Sequence, residues 1–179
     1  MTMTMTMNQI PTGPFALGPI RNAVANVSII SNLSPAFKKL LEVAFSAGVV
    51  DGEGCILFSK TTYPGRKNPS YRLVLTISQN KHKLLVRVAR ALDVPPRIYP
   101  VKRTLGQNRD AEVLSIADQD AHRVLITLLP HLTRKAPEAA LAIDAYERGH
   151  FRVHPGPKGH APEVWVFREW CYKKLQKMK

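Results

Sequence analysis

Acidic residues are scarce in this chain of 179 residues: 13 Asp and Glu stand against 26 Lys and Arg, a formal charge of +13. An excess of that size argues against a merely solubilised surface and for a polyanionic partner, of which nucleic acid is the commonest. Cysteine is scarce too. Cys55 and Cys171 cannot build a disulfide framework or a structural zinc site between them, and they fit reduced thiols inside a cell. No apolar run approaches the length of a membrane span, so no membrane partner is expected. Residues 1–33 lack acids altogether and hold one base, Arg21, among alternating Met and Thr and then Pro11, Pro14 and Pro19. That is poor in Arg for a transit peptide. The expected organisation is a flexible N-terminal extension over 1–33 and a single domain over 34–179, long enough for a sizeable core.

What is present concentrates at Ser46-Ala47-Gly48-Val49-Val50-Asp51-Gly52-Glu53-Gly54. From Pro35 to Val50, Phe37, Leu40, Leu41, Ala44, Phe45, Gly48 and Val49 recur at helical spacing, after the start signal Ser34-Pro35. Ala47 and Gly48 leave room for another backbone to approach. Asp51 and Glu53 stand where the helix is expected to end, and a carboxylate held beside free carbonyls suits a hard cation such as Mg2+. A polar turn is the bland alternative. A calcium loop is excluded, because Cys55-Ile56-Leu57-Phe58 follows where further oxygen ligands would be needed.

Strand alternation follows over Cys55–Tyr63 and Tyr71–Ser78, joined by the basic turn 64–69. Helices are expected over Lys81–Leu92, Asp118–Leu129, from Pro137 to about Tyr146, and over Pro162–Met178. A second hairpin is expected from Arg97–Arg103 and Ala111–Ile116. The order gives an α+β fold in which an antiparallel sheet of two hairpins is backed by helices. Its open face would carry Ser59, Thr61, Arg72, Thr76, Arg97, Tyr99 and Arg103, continued by Tyr63, with the loop cations Arg66, Lys67 and Arg109 at the edges. Cationic loops grip phosphates, and hydroxyl and Arg side chains on a ribbon read groove edges. Among the rest, His150, His154 and His160 fall around Pro155-Gly156-Pro157 and read as loop, and Trp165, Trp170 and Tyr172 read as packing residues of the last helix. Lys173, Lys174, Lys177 and Lys179 suit either phosphate contacts or a solubilising tail.

At this point the sequence resembles the LAGLIDADG homing endonucleases. Ser46–Gly54 sits on the nonapeptide of that family, keeping Ala47, Gly48, Asp51 and Gly54 with Glu53 in place of its second Asp. Ile77-Ser78-Gln79, Leu84-Leu85 and Leu129-Pro130-His131-Leu132-Thr133-Arg134-Lys135 match further segments, so the resemblance covers roughly Ser34–Tyr146. It implies a fold in which motif helices of two units pack at their small residues and aim their acidic ends at DNA. No second Gly-x-x-Asp-Gly-x-Gly is found, which implies a homodimer of the single-motif type, paired through Phe45, Ala47, Gly48 and Asp51 and reading a long, partly palindromic double-stranded site. The implied activity is a metal-dependent double-strand break. The resemblance assigns Glu53 and the Gly52 carbonyl to Mg2+ (with Mn2+ as a substitute), Gln79 to orienting water, and Lys135 to stabilising charge. Alternatives of the same fold are an intron maturase that holds RNA and a DNA-binding protein that does not cut. The expected location is intracellular, in an organelle or a prokaryotic cytoplasm.

Overall fold

The computed structural model describes residues 33–65, 68–101, 110–151 and 159–179. The expected extension lies outside them except for Leu33. The chain divides into two units, Met1–Lys38 and Lys39–Lys179, and the fold below is that of the second.

Helix α1, Pro35–Glu53, runs across that division and begins on the expected signal, with the Phe37 N–H donating to Ser34 Oγ at 3.3 Å. It does not stop at Val50. Asp51 and Gly52 continue the helix, and Glu53 completes it. The stop is set at Gly54, where an added Cβ would fall 2.5 Å from the Val50 carbonyl oxygen. Only glycine lets the chain turn there straight from helix into strand.

Strand β1 (Gly54–Thr61) pairs antiparallel with β2 (Ser70–Gln79), Gly54 opposite Ile77 and Ser59 opposite Arg72. Helix α2 (His82–Ala91) precedes β3 (Ile98–Pro100) and β4 (Glu112–Ala117), and the four strands lie antiparallel in the order β1-β2-β4-β3. Strand β3 covers Ile98–Pro100 of the expected Arg97–Arg103, whose last two residues lie outside the described ones. Pro95, Pro96 and Pro100 remove backbone donors, which only an edge strand tolerates. Backbone bonds from Ser115 N–H to Arg97 O and from Val101 N–H to Ala111 O carry the pairing one residue past each end.

Alternation then divides the sheet. Ile56, Phe58, Leu73, Leu75, Ile77, Leu114 and Ile116 all point to one side and are buried. That side is closed by Ala47 and Val50 of α1, by Leu85 and Val88 of α2, and by α3 (Asp118–Leu128), α4 (Ala136–Arg148) and α5 (Pro162–Lys177). The fold is therefore α+β, a four-stranded antiparallel sheet of two hairpins covered by helices on one face. Helix α5 buries a charged side chain. Cys171 and Leu175 are buried, but the position between them and Val164 is Arg168. Its Nε donates to Gly149 O at 2.8 Å and its Nη2 to His150 O at 3.0 Å, with the Phe151 ring 4.5 Å away. Burial lowers its pKa, and carbonyls satisfy the guanidinium. Trp170, expected to pack, is 51% exposed.

Candidate nucleic-acid interface and catalytic centre

Asp51 organises the end of α1. Its Oδ2 accepts the Thr133 N–H at 2.7 Å and the Arg134 N–H at 3.3 Å, and its Oδ1 accepts the Lys135 N–H at 3.0 Å. Two segments more than 80 residues apart in sequence are thereby tied together. Burial pushes the Asp51 carboxyl up, but the N–H groups of Lys135, Thr133 and Arg134 and the Arg134 guanidinium outweigh it and leave the group below its ordinary value. The carboxylate also stands just before α4, where it meets the uncapped N–H groups of the turn entering that helix.

Glu53 and Gly52 are exposed on the other side of the helix end. The Gly52 carbonyl accepts from Arg134 Nη2 at 3.0 Å, which leaves it a second lone pair. Gln79 comes near by register: Gly54 lies opposite Ile77, so the last residues of β2 run beside the helix-to-strand junction. Its Oε1 accepts the Asn80 N–H at 2.9 Å. Lys135 shares a cleft with Cys55, Arg134, Glu138, Met178 and Lys179. The three expected catalytic residues therefore all fall at the end of the sheet where α1 passes into β1. Among the described residues no cluster of three His, Cys, Asp or Glu side chains is placed to hold a metal ion. The donors available are one carboxylate and one carbonyl, the oxygen set that suits Mg2+ when waters and phosphate oxygens complete its octahedron. These two donors would fit such an ion but do not by themselves complete its shell.

The open face of the sheet follows the same alternation. Ser59, Arg72, Thr76 and Tyr99 lie on it, as does Arg97, whose carbonyl accepts from Ser115 opposite Thr76. Thr61 and Tyr63 are exposed towards the β1–β2 turn. Arg66, Lys67, Arg103 and Arg109 lie outside the described residues. The face also holds Cys55 and Ser115 in one cross-strand row with Thr76, and Leu57, Val74 and Ala117 in the next, of which alternation had already set Leu57 and Val74 on this side. Its centre is thus apolar and hydroxylic, with arginines nearer the margins. Period-two counting through β4 adds Ser115 and Ala117 to the same face.

Helix α1 corrects two of the expected interface positions. Ala47 is 0% exposed and packs in the core of its own chain, and Asp51 is turned onto 133–135. The face α1 leaves open runs through Leu40, Leu41, Ala44, Gly48 and Gly52, and among the described residues an added Cβ at Gly48 or Gly52 meets nothing within 4 Å. Phe45 borders that face under the Arg87 guanidinium, 4.0 Å from its ring centre. Arg87 is held there by a two-point bond to Glu42, each leg 2.8 Å.

No family profile and no characterised protein matches the sequence. Solved structures do match the fold. The homing endonuclease I-CvuI, solved in complex with its target in the presence of Ca, superposes with a TM-score of 0.64 at 22% identity, over 80% of this chain and 85% of that one. The archaeal intron-encoded homing endonuclease I-Vdi141I, complexed with DNA, gives 0.59 at 14% identity over 82% and 86%. The LAGLIDADG homing endonuclease I-LtrWI, bound to target DNA, gives 0.57 at 17% identity over 80% of this chain but only 44% of that one. Helix α1, the open four-stranded sheet and the helical backing thus form the fold of the LAGLIDADG homing endonucleases.

Proposed function

We propose that this chain is one half of a homodimeric, divalent-metal-dependent DNA endonuclease that makes a double-strand break in a long, partly palindromic site. The observation that carries this reading is the tie from Asp51 to the backbone of Thr133–Lys135, which holds Lys135 beside the helix end bearing Glu53, next to an open sheet in a chain of charge +13. A solvated turn has no need of such a tie. The match to about half the length of I-LtrWI, against most of I-CvuI, suits a unit that acts in pairs.

Pairing occurs along Leu40, Leu41, Ala44, Gly48 and Gly52, where glycines admit close backbone approach. A two-fold axis along that seam brings two copies of Glu53 together, each able to hold Mg2+ with its Gly52 carbonyl. The ion, when bound, would lower the pKa of water and neutralise charge on the phosphate. Gln79 orients the attacking water, Lys135 stabilises the negative charge that grows on the phosphate oxygens, and Asp51 keeps Lys135 in place. The sheet lies along the duplex, its arginines and hydroxyls towards the groove.

The test is selection from a randomised duplex library in Mg2+, in Ca2+, and with Glu53→Gln. A partly palindromic site cut in Mg2+, yet bound intact in Ca2+ and by the variant, is expected. A site bound in every case and never cut would overturn the nuclease in favour of a DNA-binding protein, and failure to enrich any duplex would redirect the search to intron RNA.

A further inference from the structure

Arg72 projects from the open face opposite Ser59, and its Nε and Nη2 both donate to Asp118 Oδ2, at 3.0 and 2.8 Å. The pair is solvated, with 55% and 44% of the two side chains exposed, so it adds little to folding. Its geometry nonetheless carries strain. Asp118 holds φ at +53°, a left-handed conformation that a non-glycine residue seldom adopts, at the point where β4 becomes α3. That turn delivers its carboxylate to Arg72 on the neighbouring strand. A second feature is which edge of the guanidinium is held. Asp118 takes the Nε–Nη2 edge, and the Nη1–Nη2 edge, with its own pair of parallel donors, lies outside the pair.

Two parallel N–H donors match two adjacent acceptors. In the major groove that pattern is offered by guanine, at N7 and O6. A phosphate would accept the same fork. A phosphate contact carries no sequence information and needs no fixed orientation, whereas Arg72 stands within a strand and beside a fixed negative charge that disfavours a phosphate. We propose that Asp118 is a positioning residue for sequence recognition, fixing Arg72 to read one guanine in each half-site. This rests on the DNA-binding reading above.

The test is the base-preference profile of full-length protein on a duplex library in Ca2+, for the parent, Arg72→Ala, Asp118→Gly and Asp118→Asn. Glycine accepts the +53° backbone, so Asp118→Gly removes the carboxylate without disturbing the turn. The expected result is a guanine preference at one position per half-site that falls about 10-fold in Asp118→Gly and vanishes in Arg72→Ala, with other positions unchanged. Asp118→Asn, whose amide oxygen still accepts from Arg72, recovers most of it. An unchanged profile in Asp118→Gly would overturn the positioning role. A loss in Arg72→Ala that is uniform across sequences, with a shallower salt dependence, would make Arg72 a phosphate contact. If the parent enriches no duplex at all, the DNA reading fails and this inference with it.

Discussion

Replacing Asp51 by alanine separates a brace from a metal ligand. The carboxylate accepts N–H groups at 2.7, 3.0 and 3.3 Å, two good bonds and one long one. Losing an ordinary helix cap costs about 0.5–2 kcal/mol, and bonds to an ionised acceptor are about twice as strong as neutral ones. Asp51 is half-buried, so water recovers part of the loss, and the expected cost is about 2–4 kcal/mol. For a unit of this size each kcal/mol lowers Tm by about 2–4 °C, so Asp51→Ala should melt about 4–16 °C below the parent. Asp51→Asn keeps one acceptor oxygen and should lose about half as much. Thermal unfolding by circular dichroism measures this, and calorimetric titration with Mn2+ on the DNA-bound protein, well below both melting points, measures ion affinity. A brace predicts a large shift in Tm, a lower cleavage rate through misplacement of Lys135, and unchanged Mn2+ affinity. A variant that melts with the parent but no longer binds Mn2+ would refute the argument and make Asp51 a ligand.

Three further outcomes are expected. Gly48→Arg should leave helix content intact, since no described residue lies within 4 Å of a Cβ there, while sedimentation shows a monomer and duplex cutting stops; a dimeric variant would overturn pairing through α1. Gly54→Ala forces a Cβ to 2.5 Å from a helix carbonyl and 2.9 Å from Val50 Cγ1, so a loss of about 3 kcal/mol in urea unfolding is expected, against near neutrality if the junction can yield. Glu169 accepts from Lys60 at 2.8 Å and from the Tyr71 hydroxyl, which with Lys173 hold its carboxyl down at about 2 from an ordinary 4.5. A depressed carboxyl stabilises above its unfolded pKa, so this contribution is full above about pH 4.5 and disappears as pH falls towards 2. Glu169→Gln should therefore flatten the acid limb of the stability profile, by no more than about 2 kcal/mol after solvent screening.

Local periodicity made most of the fold legible. Alternation in β1 and β2 separated the buried side from the open side, and Ser34 marked the start of α1. The errors lie where a residue's state depends on something distant or on helical phase. The end of α1 was placed too early because glycines and acids read as a turn, whereas the acceptors of Asp51 find their donors at Thr133–Lys135, beyond any local window. Arg168 was missed because its burial is made possible by the carbonyls of Gly149 and His150. Ala47 was assigned to the open face for its size, and size says nothing of direction. Phase would have decided it, since Val43, Ala47 and Val50 repeat at i, i+4 and i+7 on the core side while Ala44, Gly48 and Gly52 repeat on the other. Pro95, Pro96 and Pro100, which suit β3 to the edge of the sheet, were equally readable.

Asp51 and Glu53 have nearly the same chemistry, and their duties diverge because a helix turns by about 100° per residue. Two positions apart, they point about 200° apart, so one carboxylate must face the body of the chain if the other faces out. The inward one has both oxygens engaged by backbone N–H groups; the outward one is exposed beside the helix face that carries Gly48 and Gly52. On the dimer reading, that single turn of helix is brace, catalytic carboxylate and seam together. A change at any of the three should then alter the other two, and the effects on cutting of Asp51→Ala and a weakened Gly48 seam should fail to add, whereas Gly48→Arg and a distant change such as Glu169→Gln should add in stability. A double-mutant cycle that found Asp51 and Gly48 independent in cleavage would separate the catalytic centre from the seam and leave the shared helix end without a mechanical role.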